Sequence, residues 1–258
     1  MINFFRKIRK QLADDNKPLK YMRYAIGEIV LVVIGILIAL QINNWNEERK
    51  ATIIEKNYVR SIYQDLKRDL RIVESNIEKL SYQYTIGITV LRALELKETA
   101  AIDSVTLTRR IGWDLSQIIP VERKENTWDG LKVQGAETFI ISDSLKGLLN
   151  SFYGAFDLHI ERFNQLPKKV RQELRELTGT CHDGNSVQAI FENGIQFYGR
   201  SSPKLRYCIL TNKNIPKLVG AISISSIVNI RLNKELKKEV EAVMSYMENQ
   251  FNFLQKEI

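Results

Sequence analysis

Between Tyr24 and Ile42 the chain reads YAIGEIVLVVIGILIALQI, apolar at nearly every position. At about 1.5 Å per residue this run makes a helix of roughly 28 Å, close to the ~30 Å of a bilayer's hydrocarbon core. Lipid gives backbone groups no water to bond, so a single isolated span must be helical. Beyond it the apolar pattern turns periodic. From Glu47 to about Lys97 there is no Pro, and Gly87 is the only Gly. Apolar residues at Ile54, Tyr58, Ile62, Leu66, Leu70, Val73, Ile77, Leu80, Tyr84, Leu91 and Leu94 step mostly by three or four, which predicts one long amphipathic helix. Nothing between Tyr24 and Glu47 clearly separates it from the apolar run, although Asn43, Asn44 and Asn46 allow a local kink.

A second periodic run covers Leu145, Leu149, Phe152, Phe156, Ile160, Phe163, Leu166, Val170, Leu174 and Leu177. Ser142 is its N-cap, and Pro167 should bend or restart it. A third begins at Asn214-Ile215-Pro216, with Pro near the first turn, and runs to the end through Val219, Ile222, Ser226, Ile230, Leu236, Val240, Val243, Met247, Phe251 and Leu254. Its apolar part, Ala221–Ile230, is too short and too Ser-rich for a second span.

The stretches between the runs are irregular. Asp103 or Ser104 can cap a short helix to about Gln117, before Pro120. Thr127 can cap a turn over Trp128–Val133 that Gly135 ends, and Thr138–Ile141 is a short apolar piece with extended character. Trp113 and Trp128 are expected to pack this segment onto the long helices rather than to bind a ligand. Residues 179–185 form a polar loop. The pattern leaves Val187–Tyr198 undecided, and Gly199 to Pro203 read as a connection. The predicted fold is all-α: one N-terminal transmembrane helix, then an elongated antiparallel bundle of long helices with an irregular middle segment. The expected division is a basic cytoplasmic segment over 1–23, the span over 24–42 and an extracytoplasmic helical domain over 43–258.

Charge sets the direction of the span. Of the 258 residues, 38 are Lys or Arg against 30 Asp or Glu, a formal net charge of +8. Seven bases against Asp14 and Asp15 give residues 1–23 a net +5, and Glu28 takes one away, which leaves +4 for the rest. Arg6, Lys7, Arg9, Lys10, Lys17, Lys20 and Arg23 precede the span, whereas Asn43, Asn44, Trp45, Asn46, Glu47 and Glu48 follow it. The positive-inside bias therefore predicts a cytoplasmic N-terminus, with Tyr24 and Trp45 as interface anchors. Phe4, Phe5, Ile8 and Leu12 share a face opposite the bases, as in a helix lying on an anionic bilayer. Lys17-Pro18 marks a break before the span. A cleaved signal peptide is the alternative, but Gln41-Ile42-Asn43 is a poor cleavage site. The mixed, mildly basic remainder lacks the clustered basic face that nucleic acid needs.

The opening, F-F-R-K-I-R-K-Q-L through K-Y-M-R-Y-A-I-G-E-I-V-L-V-V-I-G-I-L-I-A-L-Q-I-N-N-W-N-E, resembles a group of single-pass membrane proteins typical of Bacteroidota, domain-of-unknown-function family 6090. A looser likeness to the family's central segment runs from Thr127-Trp128-x-x-Leu131-x-x-x-Gly135 to Leu145, departing from it at Gly130 and at Ala136-Glu137. The resemblance implies a bacterial inner-membrane anchor with a helical extracytoplasmic, periplasmic part. It implies no activity and no site residues.

Candidate chemistry is sparse. The histidines, His159 and His182, stand alone, and no P-loop, dinucleotide fingerprint, G-x-S-x-G or zincin motif occurs. Asp65 and Asp69 lie at helical spacing among bases, the ordinary pattern of a solvated face. Cys181, His182 and Asp183 are adjacent and cannot easily converge on one metal. No enzyme, cofactor or metal site is expected. Cys181 and Cys208 are a possible disulfide in an oxidising compartment, or else two unrelated thiols. Glu28 either snorkels towards the headgroups or joins Gly35 and Ala39 on a face for helix association, which allows a homodimer. Two functions remain: a membrane-anchored scaffold presenting its bundle to an unknown protein partner, or a ligand-binding sensor bundle that signals through a partner. A polar pocket between long helices favours the sensor, and a solid core with an exposed apolar face favours the scaffold.

Overall fold

A computed structural model describes residues 18–95, 109–119, 123–124, 126–140, 142–163, 165–181 and 203–256. Among them every regular element is helical: α1 (Pro18–Glu95), a π-helical turn (Arg110–Asp114), α2 (Thr127–Val133), a 3-10 turn (Glu137–Phe139), α3 (Asp143–Phe163), α4 (Gln165–Gly179), α5 (Pro203–Thr211), α6 (Asn214–Gln250) and a last 3-10 turn (Leu254–Lys256). The expected all-α class holds. The basic segment before Pro18, the proposed caps Asp103 and Ser104, the piece Val187–Tyr198 and His182 lie outside the described residues.

The chain divides into two compact units, the first ending at Asn57 and the second starting at Tyr58. In the first, α1 begins at Pro18, whose fixed φ and missing N–H suit a helix start. The helix is unbroken at Asn43, Asn44 and Asn46. The large apolar side chains described in its apolar run are exposed: Leu31 is 69% exposed and Ile42 61%.

In the second unit, α1 and α6 run antiparallel in a fixed register. Tyr63 hydrogen-bonds Glu248, Lys237 donates to Glu74 at 2.6 Å, and Gly87 lies against Ser223. As the number climbs on α1 from 63 to 87, its partner on α6 falls from 248 to 223. At Gly87 the helices are so close that a Cβ would overlap Ser223 Oγ, so glycine is required there. α3 and α4 run the other way, with α1: Tyr153 meets Asp69, and Arg171 meets Gln83. The bundle is thus antiparallel at α1–α6 and parallel at α1–α3/α4. The irregular middle segment makes this possible. It contacts Gln83 at Asp114 and Gln117 and reaches Asp65 at Thr127, so it carries the chain back along α1 before α3 starts.

Local signals explain the breaks. Ser142 Oγ accepts from the Leu145 N–H, 3.2 Å, as an N-cap. Pro167 falls in the first turn of α4, where its missing N–H costs no intrahelical bond. Gly135 takes the left-handed φ of +63° that ends α2. The cap of α2, however, is Asn126, whose side chain accepts from Asp129 N. Thr127 is unavailable because its N–H and hydroxyl both donate to Asp65 Oδ2, each at 2.7 Å. Residues 137–139 form a 3-10 turn, and Ile140 after them is extended. α6 stops at Gln250 rather than running to the end, and α5 occupies a stretch with no clear periodicity.

Two apolar clusters fill the unit. One joins Val59, Ile62, Leu66 and Val73 to Trp128, Phe152, Phe156, Val240 and Met247. The other joins Ile86 and Val90 to Ile111, Leu115, Leu174, Ile215 and Ile222. Trp128 is buried as expected, but Trp113, in the π-helical turn, is 42% exposed.

Candidate functional site

Three polar assemblies and one apolar strip stand out in the second unit. The first assembly lies between the two apolar clusters. Asn76 and Gln83 on α1, Arg171 on α4, and Ser223, Ser226, Asn229 and Asn233 on α6 are all buried there. Arg171 Nη2 donates to Gln83 Oε1 at 2.8 Å and to Ser226 Oγ at 3.3 Å, and its Nη1 donates to the Pro167 carbonyl at 3.1 Å. Gln83 Nε2 in turn donates to the carbonyls of Asp114 and Gln117, 3.0 and 2.8 Å away. One glutamine therefore joins α1, α4 and the chain around the π-turn. The acceptors of Arg171 among the described residues are all neutral, and burial pulls its pKa down from 12.5 to about 10.

The second assembly clips the crossover segment to α1 and α3. The Arg123 guanidinium grips Asp157 with two bonds of 2.6 and 2.9 Å, bonds Asp129, and lies 5.0 Å from the centre of the Tyr153 ring. Its pKa is raised, first by the bond to Asp157. Burial works against the Asp129 charge, but Arg123 and Lys132 outweigh it and hold that carboxyl below its usual range. Asp65 takes Thr127 and Arg68, the latter at 2.9 Å. Asp69, read from the sequence as part of a solvated face, is fully buried. The face it shares with Leu66 and Val73 points into the first cluster, and charge alone does not reveal that. Burial lifts its pKa from 3.8 to about 6, and that of Tyr153 well above the tyrosine range.

The third assembly is covalent. Cys181 after α4 and Cys208 on α5 form a disulfide with Cα atoms 5.8 Å apart. The apolar strip is on α6, where Ile224, Ile227 and Val228 are 67%, 44% and 39% exposed on the side away from the core. An open groove of about 310 Å³ lies beside Gln83, between Lys79, Tyr82, Asp114 and Ile118. His159 is buried on α3, with its pKa lowered by burial. Among the described residues no three His, Cys, Asp or Glu side chains gather as metal ligands.

In the first unit Glu28, Gly35 and Ala39 fall on one face of α1. Nothing lies within 4 Å of the Cβ that Gly35 lacks. Trp45 is 63% exposed; Tyr24 is within α1, but its side chain is outside the described set. Periodicity and charge do not single out Tyr153, Arg123, Gln83 or Arg171, and they place Asp69 on a solvated face. The one available signal was Ser226 falling in the apolar register of α6.

A model of a family of unknown function, family 6090, matches residues 28–103. The chain is similar to that family over most of the apolar run and the remainder of α1. The looser likeness from Thr127 to Leu145, and both cysteines, lie outside the matched stretch. No curated protein and no solved structure matches the chain.

Proposed function

We propose that this is a single-pass inner-membrane protein with a cytoplasmic N-terminus, whose helical domain stands on the periplasmic side and binds another protein rather than catalysing a reaction. The observation that carries the anchor is the apolar run of α1. It has a mean hydropathy of 2.6, and none of it is buried against the protein. Exposed apolar surface costs about 25 cal/mol per Å² in water, so a run of this length needs lipid around it. The other apolar helix, α6, is different: its best window has a mean hydropathy of only 1.3 and buries 39% of itself in the bundle. The base-rich flank before the run and the acidic, Asn-rich flank after it support the orientation. Ile224, Ile227 and Val228 support protein binding, because they leave an apolar strip exposed on α6 while its inner side is buried. The groove beside Gln83 supports a second reading, a ligand-binding sensor acting through a partner.

A reporter active only outside the cytoplasm, fused after Ile258, tests the orientation. Activity of that fusion is expected. Silence, with an active cytoplasmic reporter at the same position, overturns it.

A further inference from the structure

The carboxylates of the clip are unequally supplied with donors. Asp65 has the Thr127 N–H, the Thr127 hydroxyl and Arg68. Asp129 has Arg123, Lys132 and the Asn126 amide, and Asp157 has two bonds from Arg123. Among the described residues Asp69 accepts from the Tyr153 hydroxyl alone, on Oδ2 at 3.3 Å. Its Oδ1 accepts no hydrogen bond, and the nearest cation, Arg68 Nε, is 4.0 Å away. Asp69 is also the most deeply buried of the four. On α6, Val240, Val243 and Met244 belong to the apolar cluster into which Asp69 and its neighbours Leu66 and Val73 face. A carboxylate in that position has surrendered its water and has one long bond and one distant charge to replace it.

We propose that Asp69 is a proton-operated clasp between α1 and α3: with a proton it closes the seam against Tyr153, and without one it leaves a buried charge that loosens it. The groups facing it are Arg68 and Asp65 on its own helix, Arg123 from the crossover and Tyr153 from α3. Both arginines are already engaged by other carboxylates. Desolvation outweighs the arginines, and Asp65 adds to it, so the carboxyl titrates near 6 rather than near 4. The folded-state value lies above the unfolded one. The stabilisation is therefore complete below about 4 and is lost as the pH rises through about 6. A domain placed as proposed above would feel this window directly, because the space outside the inner membrane follows the pH of the surroundings.

Amide hydrogen exchange in α1 around Asp69 and in α3 around Tyr153 tests the clasp, on the full chain in detergent at pH 4.5 and 7.5, corrected for intrinsic rates. A shift of about two units is worth roughly a hundredfold in protection in full, and about 25-fold of it falls between these two pH values. Wild type should gain protection on acidification, whereas Asp69→Asn should be protected at both pH values. An unchanged pH step in the variant, or no step in wild type, overturns the proposal. Tyr153→Phe keeps the ring against Arg123 and removes the bond that favours the charged form, so the step should move to higher pH. A step that stays in place overturns the link between the two helices. If Asp69→Asn does not fold, carbon-13 titration of the wild-type carboxyls decides: a midpoint near 6 at Asp69 upholds the proposal and one near 4 ends it.

Discussion

Replacing Cys181 and Cys208 together by serine should lower the stability of the second unit by roughly 3.5 kcal/mol. The disulfide joins residues separated by 27 positions in sequence. Closing a loop of that length in the unfolded chain costs about 3.5 kcal/mol of entropy at 25 °C, and the bond abolishes this cost on folding. The new serine at 181 would be buried, since Cys181 is only 1% exposed. That adds up to about 1 kcal/mol unless its hydroxyl finds an acceptor. For a domain of this size about 1 kcal/mol moves the melting temperature by 2–4 °C, so the fall should be roughly 7–14 °C. The measurement is thermal unfolding of the detergent-solubilised chain, with and without reductant, beside the double variant. Reduced wild type should fall by that amount, and the variant by up to about 2–4 °C more for its buried hydroxyl. The loss should be regional too. Cys181 packs with Ile86, Val90, Val219 and Ile222, and the polar layer separates these from the other cluster, so their amides should lose exchange protection first. Two free thiols in unfolded, unreduced protein would refute the reasoning, as would melting temperatures equal within about 2 °C with and without reductant.

Other substitutions probe the remaining contacts. Gln83→Leu strands two partly buried carbonyls and the buried Arg171, so urea unfolding should show a loss of about 2–4 kcal/mol; a loss below about 1 kcal/mol would mean that water replaces the amide. Gly87→Ala should cost about 1–3 kcal/mol through overlap with Ser223, and Ser223→Gly should restore most of it; strictly additive effects would rule out the contact. In native membranes Gly35→Ile should reduce crosslinked dimer relative to wild type, and an unchanged fraction would exclude the face of Glu28, Gly35 and Ala39 as the interface.

The helices were legible in the sequence because each buries one stripe, and stripes leave a three-to-four period. Ser142 and Pro167 were legible for the same reason: their effect is local. Asn126 was not, because Thr127 loses its capping role to Asp65, a residue 62 positions away. Nor was the parallel course of α3 and α4. Periodicity reports which side of a helix is buried, not which way the helix points. α5 escaped notice because PKLRYCILT has little amphipathic contrast. The polar layer was hidden by its composition: Asn76, Arg171, Asn229 and Asn233 sit on core-facing turns but read as surface residues. Asp69 was misplaced for that reason too, and with it the residues that make the clip.

The α1–α6 register has a consequence for how this protein is made. Tyr63 waits for Glu248, 185 residues later, and Glu74 waits for Lys237, 163 residues later. While the ribosome is still adding the segment before Asn214, both apolar clusters lack the helix that closes them. Helix α1, with its apolar stripe open, would already have left the exit tunnel. Separations this large slow folding, since the loop must be closed before any contact forms. The domain therefore has a long interval in which it is translated, uncovered and unable to fold, and chaperone capture should be strongest on nascent chains shorter than the start of α6. Chains released after the last turns of α6 should escape it.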